Sequence, residues 1–262
     1  MVLTKKARRG YRRVTSPTRS LPDFIVVGGL RCGTSSFFHW ICSHPDVDRP
    51  ARKEIHFFDL NFHRGAWWYR SYFPRKAPGH LTFEATPSYL TTRSAARRAG
   101  SLVPRAGVIA LIREPAERAW SHYRFQHARG HDPRSFEEAI RGELDAPDEP
   151  AADWYDPPSS IPYLVAGRYA EQLKPWFDIF GRDGVLIVDS DAMFADPETT
   201  LQRVEGFVGL RQITLPLMHR NKNAPSVADP DLMAAVRAYY AEPNRQLAGL
   251  IDQPISWLDV SS

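Results

Sequence analysis

The chain has 262 residues, of which 43% are hydrophobic and 12% aromatic, with a formal net charge of +4. That length holds one α/β domain with a full core, and the balance is that of a globular chain rather than a disordered or fibrous one. Residues 1–21 carry Lys5, Lys6, Arg8, Arg9, Arg12, Arg13 and Arg19 without a single acid, so the body from 22 to 262 is near neutral, which argues against a specific nucleic-acid-binding protein.

The basic stretch has no apolar periodicity and reads as a solvated N-terminal arm on a domain spanning 22–262. No apolar run in the chain is long enough for an export signal or a transmembrane segment. Two cysteines, Cys32 and Cys42, are too few for a disulfide framework or a zinc site, and the expected location is a reduced cytoplasm.

The first strand is expected over 24–28, where the apolar run enters VVGGLRCGTSSF. A glycine-rich turn follows, then a helix over about 35–43 that His44-Pro45 stops. Strand, glycine turn and helix N-terminus form a layout that aims backbone N–H groups at an anion. A nucleotide-triphosphate loop ends in Gly-Lys-Ser/Thr, whereas here the order is Gly33-Thr34-Ser35 and the one cation, Arg31, precedes the glycine. Cys32, beside a helix start, invites a nucleophile reading, although a small side chain is also what such a loop tolerates.

KEIHFFD (53–59) is read as extended, which would put Glu54, His56 and Phe58 on one face and Lys53, Ile55 and Phe57 on the other. The flanking aromatics would then desolvate the Glu54 carboxyl. The aromatic run GAWWYRSYFP forms a short helix ending by Pro74 and lines either a cleft or the core. Short strands follow at 81–84 and 108–112, the second leading through Arg113-Glu114-Pro115 into a helix over about 116–128. Residues 142–162, rich in proline and acid, read as a surface excursion. A helix over 165–180, a strand over 185–189, a helix over 198–208 closed by Gly209, and a last helix over 229–241 complete the chain. Strands alternating with helices predict one three-layer α/β domain, a central parallel sheet flanked by helices. The polar motifs after the strands, residues 29–36, 84–89 and 113–121, then meet at one rim of the sheet.

In combination, GGLRCGTSS, KEIHFFD, EATPSYL, LIREPAERAWSHY, GRYAEQLKPWFDIF and DPETTLQRVEGFVGL resemble the PAPS-dependent sulfotransferases, in particular the glycan branch and its bacterial relatives. PAPS is adenosine 3′-phosphate 5′-phosphosulfate, so the resemblance implies two anion sites, no metal, and PAP as product. It implies that Arg31, Cys32, Gly33, Thr34 and Ser35 hold the 5′ end and that Arg113 and Ser121 hold the 3′-phosphate. In the HRNKNAP loop it implies Arg220 and Lys222 as closing cations. It makes Glu54 the general base towards a glycan or small-molecule acceptor, with His56 as helper or alternative base. The family's usual loop lysine is Arg31 here, which keeps the charge but is a poor proton donor. Ala85 also stands where glycan members often carry lysine. A silent PAP- or carbohydrate-binding protein, and a nucleotide kinase with an altered loop, are the competing readings.

Overall fold

Five apolar stretches too short for helices pair into one sheet, in a computed structural model that describes residues 12, 14–75, 77–145, 162–214, 228–253 and 255–258. The strands are β1 (Phe24–Gly28), β2 (Val47–Asp48), β3 (Leu81–Ala85), β4 (Gly107–Ile112) and β5 (Val185–Asp189), in the order β2-β3-β1-β4-β5 and all parallel. Because a parallel sheet is covered on both faces, its strands read as continuous apolar runs.

Alternate residues divide between two cores. Ile25, Val27, Val108, Ala110 and Ile187 face α3 (Arg93–Leu102), α6 (Tyr169–Phe180) and α10 (Ala241–Leu250). Phe24, Val26, Ile109, Leu111 and Val188 face α1 (Thr34–Ile41), α7 (Ser190–Ala195) and α8 (Pro197–Val208). A third cluster joins α4 (Pro115–His127), α5 (Phe136–Leu144) and α9 (Pro230–Tyr239) beside the sheet. The expected three-layer α/β domain is the observed one.

Several boundaries differ from the sequence reading for local reasons. Ser135 and Glu138 form a capping box that starts α5, so the stretch read as loop from residue 142 is helical through Leu144; residues 146–161 lie outside the described ones. The C-terminal helix breaks at Tyr240, and α10 follows with Leu247 buried. The basic arm joins the domain before residue 22: Arg19 donates to the Phe73 carbonyl at 2.7 Å, Arg70 to that of Arg19 at 2.9 Å, and Ser16 is buried. The exchange is reciprocal: the arm's Arg19 bonds a carbonyl just past α2 (Gly65–Arg70), and Arg70 at the end of α2 bonds a carbonyl of the arm. The aromatic run around α2 is chiefly core: Trp68, Tyr69 and Phe73 are buried, and Trp67 is exposed.

Candidate active site

The phosphate loop forms where β1 ends. The Gly29 amide bonds the Leu111 carbonyl at 3.0 Å, and Cys32 N–H closes the turn on the Gly29 carbonyl at 3.2 Å. Gly33 starts α1 in the left-handed region, at φ 76°, where a Cβ would stand 2.7 Å from Met193 Cε. Glycine is therefore required there on both torsional and steric grounds. Arg31 is also left-handed, at φ 75°, a conformation that costs a non-glycine residue on the order of 1–3 kcal/mol and marks a functional turn.

Arg31, Gly33, Thr34, Ser35, Arg113 and Ser121 share one cavity of about 130 Å³ with Ser36 and Phe194. The loop thus meets the end of β4 and the second turn of α4, as the topology predicted. Arg31 Nε donates to Ser121 Oγ at 3.3 Å, and its guanidinium carbon lies 4.7 Å over the Phe125 ring. Burial, then the fields of Arg113 and Arg129, hold Arg31 below the usual guanidinium range. Arg113 Nε is buried without a hydrogen bond, its closest acid being Asp191 Oδ1 at 3.4 Å. It does not pair with its chain neighbours, since Glu114 caps α4 and Glu117 bonds Arg237 at 3.1 Å. A cavity that crowds guanidinium groups, one of them met by a carboxylate only in a long ion pair, is matched to an anion.

Cys32 does not line this cavity. It is fully buried beneath the loop, absent from the cavity wall, with its amide spent on Gly29 and its sulfur 3.7 Å from Tyr169 Oη. Burial pushes its thiol up to about 11, which argues against the nucleophile reading. Arg220 and Lys222 lie outside the described residues. No group of three or more His, Cys, Asp or Glu is placed to hold a metal among the described residues.

The 53–59 segment departs most from expectation. It is no strand: Glu54 and His56 are left-handed, at φ 58° and 56°, and Phe57–Asn61 coils as a single π turn. With Arg31 they are the only described non-glycine residues at positive φ, and all three are the candidate catalytic residues. The alternation of faces is lost, and Lys53 joins Glu54 instead of opposing it. Lys53 Nζ donates to Glu54 Oε1 at 2.5 Å and to Ser35 Oγ at 3.2 Å. Phe57 and Phe58 turn into the core and leave the Glu54 side chain 43% exposed, so aromatics do not desolvate it.

A buried scaffold dictates this shape. Glu54 N–H bonds the Ala85 carbonyl at 3.0 Å, and Tyr89 Oη accepts the amides of Phe57 and Phe58 at 2.6 and 3.2 Å. Tyr89 in turn donates to Glu84 at 2.6 Å, as do Tyr69 and Thr86. Burial pushes the Glu84 carboxyl up to about 7 against these bonds. Asp59 Oδ2 takes His56 Nδ1 at 2.8 Å and Ser88 Oγ at 2.7 Å. Burial alone would raise Asp59, but the bonds from His56 and Ser88 outweigh it and lower it below the usual range. Asp59 therefore orients the imidazole as a carboxylate orients a catalytic histidine.

Sequence reasoning passed over Lys53, Asp59, Glu84, Ser88, Phe125 and Tyr169. Tyr169 Oη donates to the Arg113 carbonyl at 3.0 Å while touching Cys32, tying the two anion loops together. All but Phe125 lay inside quoted motifs, so their presence was visible; what each one touches was not.

Known proteins agree with this geometry. The sulfotransferase-domain family profile matches residues 21–227. The chain belongs to the sulfotransferase family. Among sulfotransferases it is 34% identical over 196 residues to the mouse heparan sulfate glucosamine 3-O-sulfotransferase 3B1, covering 75% of this chain and 48% of that one. It is 35% identical over 205 residues to the human bifunctional heparan sulfate N-deacetylase/N-sulfotransferase 3, covering 72% and 22%. The chain thus spans about half and about a fifth of these relatives. A sulfotransferase crystal structure from Alicyclobacillus acidocaldarius superposes with a TM-score of 0.75 at 27% identity, over 91% of this chain and 99% of that one.

Proposed function

We propose that the protein transfers the sulfuryl group of PAPS to a hydroxyl or amino group of a sugar-containing acceptor, without a metal. One observation carries the reading: in a sulfotransferase chain, the strained Arg31 lines the anion cavity and the strained Glu54 is joined to that cavity's Ser35 through Lys53. Glu54 takes the acceptor proton, Arg113 and Ser121 bind the 3′-phosphate, and the amides and hydroxyls of the loop bind the 5′ end. The heparan sulfate enzymes among the relatives support a glycan acceptor. So does a neighbouring groove of about 680 Å³ that shares Arg31 and brings Arg124 and Arg129 beside Trp120 and Phe125, since aromatic platforms and guanidinium groups suit an acidic sugar. A cytoplasmic location completes the proposal, supported by two unpaired thiols and testable by fractionation.

Calorimetry is expected to show PAP binding without metal and more tightly than magnesium ATP; the reverse order removes the reading. With radiolabelled PAPS and de-O-sulfated heparin, Glu54→Gln is expected to lower turnover by about 10²- to 10⁴-fold. The contact of His56 with Asp59 favours a second assignment of the base. Transfer that survives Glu54→Gln but is lost in His56→Gln would establish it.

A further inference from the structure

The loop's own cation lines the cavity, but its described hydrogen bond goes to Ser121 on α4 and not to a hydroxyl of the loop. Arg31 is held by Ser121 and Phe125, on the side of Arg113. The cation that touches the loop at the start of α1 comes from elsewhere. Lys53 Nζ lies 3.2 Å from Ser35 Oγ and 2.5 Å from Glu54 Oε1, with 18% of its side chain exposed. The left-handed turn at Glu54 creates this placement, because in an extended segment the two side chains would point to opposite faces. Ser35 sits in the first turn of α1, where the helix favours an anion. An ammonium bonded to that hydroxyl lies next to the same anion.

Resting on the sulfotransferase reading, we infer that Lys53 contacts the donor's 5′-phosphosulfate and supplies the proton taken up by the leaving phosphate. The acceptor oxygen forms its bond to sulfur as the sulfur–oxygen bond to the 5′-phosphate breaks, and that electron pair stays on the phosphate oxygen. The acceptor proton passes to the Glu54 carboxylate while Lys53 Nζ gives one to the phosphate. The protonated Glu54 then returns its proton to the neutral amine across their direct contact. Both residues are restored, and the acceptor's proton ends on PAP. A lysine performs this step where a guanidinium does not, because its ammonium gives up a proton readily.

The test needs no acceptor. PAP carries 3′- and 5′-phosphates, whereas adenosine 3′-phosphate lacks the second, and both are titrated calorimetrically into the full chain. Lys53→Met is expected to weaken PAP by about 10- to 100-fold, the worth of a charged hydrogen bond, and to leave adenosine 3′-phosphate within about threefold. Arg113→Ala weakens both. In the double variant Lys53→Met/Glu54→Gln, PAP binding stays weak. Recovery of PAP affinity there would mean that Lys53 only screens Glu54, and it overturns the inference, as does equal loss, or no loss, for the two nucleotides. Lys53→Gln carries the same comparison if the methionine variant does not fold. Wild-type protein that binds neither nucleotide removes the sulfotransferase reading, and Lys53 with it.

Discussion

The phosphate loop and the acidic segment opposite it are similar in length and opposite in construction. Residues 29–36 are held mostly by themselves: Cys32 bonds Gly29, Phe37 bonds Gly33, and one glycine supplies the left-handed start of α1. The backbone of residues 53–59 is held chiefly from outside, by the Ala85 carbonyl, Tyr89 Oη and Arg98 Nη1, which donates to the carbonyls of Phe58 and Asp59 at 2.6 and 2.8 Å. A strand–turn–helix carries its conformation in its own sequence. Two non-glycine residues at positive φ persist only where the surroundings over-determine them.

The largest expected effect strikes the scaffold of the acidic segment. Glu84 titrates near 7 when folded, against an ordinary value of 4.5. Between these pH values the native state holds a proton that the unfolded state has released. Stability therefore falls as pH rises through the window, by up to about 3 kcal/mol. Urea titrations from pH 4.5 to 7 should show this decline in the wild type and a flatter profile in Glu84→Gln. Equal slopes would mean that Glu84 is not the keystone.

Next is Tyr89→Phe, which strips the acceptor from two buried amides and a donor from Glu84. It should cost about 1–3 kcal/mol and lower kcat while leaving PAP affinity unchanged. A parallel loss of PAP binding would break the separation of the two regions. The converse substitution, Gly33→Ala, meets Met193 and a left-handed φ at a cost of about 1 kcal/mol or somewhat more. It should weaken PAP without slowing the turnover of bound donor, measured by single-turnover kinetics.

The same contrast explains what was legible. The five strands and the convergence of their loops follow from apolar runs and parallel topology, so Arg31, Thr34, Ser35, Arg113 and Ser121 could be named and are found in one cavity. The burial of Cys32 was not legible, because position in a loop does not tell whether a side chain faces the cavity or the core; here the thiol is buried beside Gly29 with Arg118 and Tyr169. Glu54 and His56 were recognisable by motif, but the geometry assigned to them was wrong. Alternation assumes a ladder partner on both sides, whereas β3 offers only the Ala85 carbonyl before Tyr89 captures the chain.

By itself, the sequence determined the parallel α/β class and the strand–glycine turn–helix layout of the loop, because those rest on hydrophobic runs, glycine torsions and residues close in the chain. Only the tertiary structure decided that Arg31 leans towards Ser121, that Lys53 stands beside Ser35 and Glu54, and that a buried carboxyl at Glu84 shapes the acidic segment. Each of these depends on a contact between residues distant in the chain, Arg31 with Ser121, Lys53 with Ser35 and Tyr89 with Phe57, and such contacts are set by how the layers close rather than by any local pattern.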